Sequence, residues 1–215
     1  TPPSFFLLNI NGIDPGLKNQ KWKLKAIEEQ IKTSDSFVPF FALTETHLKS
    51  YNFDAEIKIP EYNTIRADRI RRIKGGTALY IHNKFTVSEQ AVFSDSYCEV
   101  VMVFLPEPNL AIITVYRPPR CPEDNFIQCL TEVTNFIAKL ENPEVLMIGD
   151  FNFPYINWKD GNINTEQRLN IEVSSAEHFL NFTDEHFLFQ VVEETTREDK
   201  STLDLIFTNN TEAIH

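Results

Sequence analysis

Residues 98–116 read CEVVMVFLPEPNLAIITVY, two apolar runs on either side of the turn residues Pro106-Glu-Pro-Asn109. Val, Ile and aromatic residues fit a pleated, buried surface, and a link rich in Pro and Asn folds the two runs back as an antiparallel hairpin. Toward the N-terminus, similar runs recur at Phe5–Ile10, Phe37–Leu43, Tyr62–Ala67 and Thr77–His82; toward the C-terminus they recur at Glu144–Ile148, Phe189–Val192 and Leu203–Thr208. Three helical stripes lie between them: Leu24, Ile27 and Ile31; Phe126, Leu130, Val133, Ile137 and Leu140; and Ala176 and Leu180 with Phe187. Apolar residues three and four apart share one helix face, so each stripe can be buried against a sheet. Adjacent hairpins with a few interspersed helices favour an α/β fold of the α+β kind. Two mainly antiparallel or mixed sheets pack face to face with helices outside, a four-layer α/β/β/α sandwich, in preference to a doubly wound parallel sheet. The stretch Phe153–Gln167, rich in Asn and Asp, is expected to be an irregular excursion.

The chain has 215 residues, 42% of them hydrophobic and 18 of them Phe, enough for one domain with a sizeable core. No repeat or linker divides it, so residues 1–215 are read as a single domain. Its longest uncharged apolar runs, Ser4–Ile13 and Ser36–Thr44, are too short to cross a bilayer. Thr1-Pro2-Pro3 has neither an initiator Met nor the pattern of a signal peptide, and reads as the start of an excised domain or mature fragment. Cys98, Cys121 and Cys129 include no Cys-x-x-Cys pair, which argues against a disulfide framework or a zinc site and for a reducing, intracellular setting. Asn181 and Asn209 fall in glycosylation-type triplets that are common by chance.

With 20 Lys and Arg against 31 Asp and Glu, the net charge is −11. Such a chain repels phosphates at long range and needs a local basic patch or a bound cation to handle nucleic acid. One basic cluster exists: Arg66, Arg69, Arg71, Arg72 and Lys74, with only Asp68 among them and Gly75-Gly76 following. It is either a solvated loop between strands or a loop that contacts phosphate.

Several apolar runs end in polar residues. Leu7-Leu8 leads to Asn9-Ile-Asn11, Ala42-Leu43 to Thr44-Glu45-Thr-His47, and Met147-Ile148 to Gly149-Asp150-Phe-Asn152. Singly, an Asn or Asp after a strand caps a turn. Together, Asn9, Glu45, Asp150, Asn152 and Asp204 supply three carboxylates and two amides, without a thiolate or a His cluster. Hard oxygen donors of this kind suit Mg²⁺, which needs only one or two carboxylates and keeps water and substrate phosphate as its other ligands; Mn²⁺ is an alternative. The implied chemistry is at phosphorus.

In this order, Leu-Asn9-Ile-Asn-Gly, Thr-Glu45-Thr-His, Val-Tyr116-Arg-Pro-Pro, Ile-Gly-Asp150-Phe-Asn152, Thr196-Arg and Leu-Asp204-Leu-Ile-Phe, the sequence resembles the endonuclease domain of non-LTR, LINE-type retrotransposons. Asp150-Phe-Asn-Phe-Pro-Tyr-Ile-Asn-Trp158 followed by Leu-Asp204-Leu-Ile-Phe-Thr-Asn209 resembles the jockey-like branch. These domains fall in the exonuclease–endonuclease–phosphatase superfamily with the abasic-site endonucleases and pancreatic deoxyribonuclease, and the likeness runs collinearly from residue 5 to about residue 209.

The resemblance implies that Glu45 is the main Mg²⁺ ligand and that Asn9 stands near metal and scissile phosphate. It implies that Tyr116 contacts the phosphate and that Asp150 positions or deprotonates the attacking water. Asn152 becomes a neutral donor beside the transition state, Thr196 (or its neighbour Thr195) a hydroxyl lining the site, and Asp204 the carboxylate that orients a catalytic histidine. His47 fits a buried, hydrogen-bonded position beside Glu45 better than a base. The function implied is nicking of one strand of double-stranded DNA to leave a 3′-hydroxyl that primes reverse transcription. The reverse transcriptase would lie in the same polypeptide and the site of action in the nucleus, and the domain itself would be monomeric and free of membrane. Arg66, Arg69, Arg71, Arg72 and Lys74 would follow the DNA backbone, with Arg117 and Arg120 adding phosphate contacts.

In one place the sequence departs from the pattern. The family's Ser-Asp-His motif, expected on a strand shortly after Leu-Asp204-Leu-Ile-Phe, is absent before the chain stops at Ala213-Ile214-His215. The expectation is a domain truncated at its C-terminus that lacks its last strand. Two alternatives therefore stay open: a catalytically inactive DNA-binding module of the same fold, and a phosphoesterase of the same superfamily acting on a substrate other than DNA.

Overall fold

The strand runs separate into two sheets. In the computed structural model, which describes residues 4–17, 20–70, 74–94, 97–119, 121–164, 170–192 and 202–213, the elements in chain order begin with β1 (Phe6–Asn9), α1 (Lys21–Thr33), β2 (Phe40–Thr44), β3 (Tyr62–Ala67), β4 (Thr77–His82) and β5 (Glu89–Ser94). They continue with β6 (Glu99–Leu105), β7 (Leu110–Tyr116), α2 (Glu123–Ile137), β8 (Glu144–Asp150), β9 (Ile156–Asn157), β10 (Asn162–Ile163), α3 (Asn170–Glu185), β11 (Phe189–Gln190) and β12 (Asp204–Thr208). The first sheet has the order β1-β2-β4-β3 and the second the order β11-β12-β8-β7-β6-β5. Parallel pairing occurs at β1–β2 and β7–β8, in each case with a helix between the two strands; the other pairs are antiparallel. The hairpin of residues 98–116 is the β6–β7 pair, closed at Leu105–Leu110.

Because successive side chains in a strand point to opposite faces, each sheet has two apolar faces to cover. Phe40, Ala42, Leu79 and Ile81 of the first sheet meet Val101, Val103, Ile112, Leu146 and Ile148 of the second. The alternate residues Phe41, Leu43 and Tyr80 pack on Leu24, Ile27 and Ile31 of α1. On the far side Val100, Met102, Ile113 and Val115 pack with Phe126, Leu130 and Val133 of α2 and with Ala176, Phe179 and Phe182 of α3. The result is the expected four-layer sandwich. Its densest aromatic packing centres on Phe179, whose ring lies 4.9 Å from Phe153, 5.4 Å from Phe151 and 5.5 Å from Phe207.

The sequence reading differs from the structure at four points. Strand β5 was not foreseen because Glu89, Gln90 and Ser94 dilute its apolar signal; it is a sheet edge held by β6. The second strand starts at Phe40 rather than Phe37, behind Pro39, which has no amide for a ladder. Leu140 lies past the end of α2, and Phe187 lies past α3, exposed and in the left-handed region with φ 54°. The stretch from Phe153 is only partly irregular: β9 and β10 form a short ladder, and Phe153, Tyr155 and Ile156 are buried.

Candidate active site

The topology brings the polar strand ends to one end of the sandwich. Asn9 closes β1 level with Thr44, which closes β2 and is followed by Glu45. Tyr116 closes β7 level with Asp150 at the end of β8, and Asp204, at the start of antiparallel β12, is level with Asp150 on the other side. The side-chain amide of Asn9 donates to Glu45 Oε1 at 3.0 Å and to Asp150 Oδ2 at 3.1 Å. One neutral group thus ties two carboxylates, one from each sheet.

The backbone around these groups is strained. Glu45 has φ 53°, His47 58°, Asn152 50° and Asn11 45°. The left-handed region is uncommon for residues other than Gly, costs about 1 kcal/mol or more each, and persists only where surrounding contacts enforce it. Those contacts are present. Gly12 and Ile13 amides donate to the carbonyls of Glu45 and Thr46 at 2.7 and 2.9 Å, while Thr46 and His47 amides donate to the carbonyls of Gly76 and Gly75 at 3.2 and 2.8 Å. Gly76 (φ 90°) lets the chains approach this closely, since a Cβ there would stand 2.5 Å from Thr46 Oγ1. Lys23 of α1 completes the clamp by donating to the carbonyls of Ile10 and Asn11, each at 2.7 Å.

Electrostatics sets the protonation of Glu45 and Tyr116. His47, whose Nε2 lies 3.4 Å from Glu45 Oε2, holds the Glu45 carboxyl below the ordinary range; the Asn9 amide and the Lys74 charge act the same way, and together they outweigh burial. Burial, reinforced by the negative charges of Glu45 and Asp150, pushes the Tyr116 phenol far above its ordinary value. Tyr116 therefore stays protonated and is a hydrogen-bond donor. Asn152 is fixed beside Asp150: its backbone amide donates to Asp150 Oδ1 at 3.2 Å and its side-chain amide to the Arg117 carbonyl at 2.7 Å.

The basic groups require correction. Arg117 is 3% exposed, donates to the carbonyls of Phe151 and Asn152 and to Ser175 Oγ, and lies 3.9 Å from the centre of the Phe153 ring. It braces the 150–153 turn from inside and is not a surface contact for phosphate. Arg69 is likewise 3% exposed and paired with Glu99, which is fully buried. Arg66 is engaged by Asp54 at 2.9 Å and Asp68 at 3.4 Å. Of the described members of the cluster, Lys74 alone is exposed. Arg71, Arg72, Arg120, Thr195, Thr196 and His215 lie outside the described residues.

Three groups that organise this end were not found in the sequence. Glu99 accepts from Arg69 and from the Gly76 amide, pinning the β3–β4 connection to the second sheet. The hydroxyls of Thr77 and Thr114 meet at 3.0 Å between the sheets. A lone acid opening a strand as apolar as Glu99-Val-Val-Met-Val-Phe was the one available signal.

Among the described residues, no three of His, Cys, Asp and Glu form a group able to hold a metal ion unaided. The donors present fit Mg²⁺ all the same: an ionised Glu45 and the Asp150 carboxylate are hard oxygen groups, and this ion takes few protein ligands; Asn9 turns its NH2 to both of them and its oxygen to the Asn11 amide, so it positions the carboxylates. No helix among the described residues is long and apolar enough to cross a membrane.

In sequence the chain matches no curated protein. Its residues 110–215 match the family described as endonuclease-reverse transcriptase. In structure it is similar to the 3′ phosphatase NExo from Neisseria, bound in that case to a product DNA hairpin (TM-score 0.60, 13% identity, covering 97% of this chain and 86% of that one). It is also similar to the AP endonuclease LMAP from Leishmania major (0.59, 14%, 96% and 78%). An endonuclease/exonuclease/phosphatase family protein from Bacteroides thetaiotaomicron gives a comparable likeness (0.57, 15%, 97% and 80%).

Proposed function

We propose, for a chain that carries the exonuclease–endonuclease–phosphatase fold and whose residues 110–215 match the endonuclease-reverse transcriptase family, a Mg²⁺-dependent DNA endonuclease activity that nicks one strand and leaves a 3′-hydroxyl. The observation that carries this reading is the Asn9 amide shared by Glu45 and Asp150, which collects at one point two carboxylates that the reading assigns to metal and to water.

Glu45, positioned by the Asn9 amide, would hold the ion, which when bound supplies neutralisation of phosphate charge. Asp150, almost fully buried and held by Asn9 and the Asn152 amide, orients the attacking water and accepts its proton. Water oxygen bonds to phosphorus, the P–O3′ bond breaks with its electron pair going to the 3′ oxygen, which takes a proton from solvent water to become the hydroxyl, and the phosphate stays on the 5′ side. The protonated Tyr116 phenol donates into the charge that develops on the phosphoryl oxygens, and the second Asn152 amide hydrogen serves the same end. Asp204 on β12, level with Asp150, completes the row of polar strand ends at this site. The biological use proposed is priming of a reverse transcriptase in the same polypeptide, at chromosomal DNA in the nucleus.

The test is the chemistry of the nick. Plasmid nicked by the protein in Mg²⁺ should accept labelled nucleotides from a DNA polymerase without prior phosphatase treatment. A nick that needs phosphatase first contradicts the reading, and release of inorganic phosphate from sugar phosphates with no nicking would favour the non-DNA phosphoesterase.

A further inference from the structure

Beside this site the protein displays bare aromatic rings on a braced loop. Tyr51 is 68% exposed and Phe53 73%, and Ile70, on the neighbouring β3–β4 connection, is 68% exposed. Isolated exposed apolar residues need no explanation, but these sit on backbone that is held from several sides. Asn52, between the two rings, is buried: its side chain accepts from the Lys49 amide at 2.8 Å and donates to Asp14 at 3.2 Å. Its carbonyl accepts from Arg66 Nη2 at 2.6 Å, and Arg66 also holds Asp54. Lys49 Nζ donates to the Arg69 carbonyl at 3.0 Å, tying the loop to the residue before Ile70. With Asn52 turned inward, its two neighbours are presented outward on a fixed support, which removes much of the ordering cost of binding.

The support is continuous with the candidate active site. The loop follows Glu45 and His47 directly, and the connection that carries Ile70 continues to Lys74, whose charge reaches Glu45, and to Gly75, whose carbonyl binds the His47 amide. Because Arg66 and Arg69 are spent on internal partners, backbone-tracking charge on this side is reduced to Lys74 among the described cations of the cluster. Flat rings on a rigid loop beside a phosphate-cleaving centre suit the faces of nucleobases, which every base offers regardless of sequence.

We propose that Tyr51 and Phe53 form a stacking platform for unpaired or splayed nucleobases next to the scissile phosphate, with Ile70 as an apolar flank. The proposal rests on the endonuclease reading and assigns these exposed rings to bases.

The test measures binding of a fluorescent duplex with a short single-stranded gap, and of the same duplex without the gap, in Mg²⁺-free buffer. Wild type should prefer the gapped DNA, and the Tyr51→Ser/Phe53→Ser pair should lose about tenfold in affinity for it with an unchanged melting temperature. Phe53→Trp should restore that loss when paired with native Tyr51, and its fluorescence should be quenched on binding. Equal affinity of wild type and the double variant for gapped DNA, with wild type still binding and nicking, would overturn the platform while leaving the endonuclease reading intact. Absence of DNA binding by wild type would overturn both. Self-association of wild type that the double variant abolishes, with DNA affinity unchanged, would assign the rings to contact between copies of the chain and overturn the proposal.

Discussion

The space between the two sheets differs at its two ends. Over most of its length it is filled by Phe40, Leu79, Ile81, Val103, Leu105, Ile112 and Leu146. At the end that carries the carboxylates, the sheets are joined by polar pairs: Asn9 with Asp150, Thr77 with Thr114, Arg69 with Glu99, and Ser94 with the Asp68 carbonyl. Apolar burial stabilises by area removed from water and needs no partner geometry. Buried polar groups return their desolvation cost only when matched, and well-packed apolar replacements are often as stable or more so. Left-handed Glu45, His47 and Asn152 add strain at the same end. The apolar part therefore holds the fold, and the polar part spends stability to place Glu45 and Asp150 together.

This contrast can be broken from either side. The largest effect on stability belongs to the apolar layers: Phe179→Ala, which removes the ring at the centre of the Phe151, Phe153 and Phe207 cluster, should cost about 4 kcal/mol in denaturant unfolding. The nicking rate per folded molecule should change little. A loss under about 1 kcal/mol would show that the cluster is not the support it is taken to be.

A cycle at the polar end comes next. Glu99→Leu alone strands the Arg69 guanidinium in the interior and should cost about 3 kcal/mol, whereas Arg69→Met with Glu99→Leu should recover most of that. Additive losses would mean that the two charges do not depend on one another.

The smallest effect is a pH dependence. Because His47, Asn9 and Lys74 lower the native Glu45 value, its ionised form stabilises the fold above the ordinary Glu range, and that contribution disappears as pH falls through the lowered native value. The stability difference between wild type and Glu45→Gln should thus be greatest near neutrality and shrink in acid. The half-exposed setting keeps it small, and a difference that grows in acid would reverse the assigned sign.

The same contrast explains what could be read from the sequence. Strands such as Thr77–His82 and Leu110–Tyr116 announce themselves as continuous apolar runs, and Asn9, Glu45 and Asp150 stand out as polar residues at the ends of such runs. Strand β5 was hidden because an edge strand with one open face has no reason to be apolar. The roles of Arg69 and Arg117 were hidden for another reason. Charge is visible in a sequence but its partner is not: Glu99 lies 30 positions from Arg69, and Arg117 binds mainly backbone carbonyls, which leave no mark on residue type. The left-handed geometry of Glu45 was equally silent, since Glu is not a residue that such geometry favours.

Phosphodiester cleavage should occur where Asn9 joins Glu45 to Asp150. Nicking of supercoiled plasmid by wild type and by Asp150→Ala, each with Mg²⁺ and with EDTA, tests it most directly. Wild type should nick only with Mg²⁺, and Asp150→Ala should lose about a thousandfold or more at an unchanged melting temperature. Nicking that persists in Asp150→Ala, or wild-type nicking indifferent to EDTA, would contradict it.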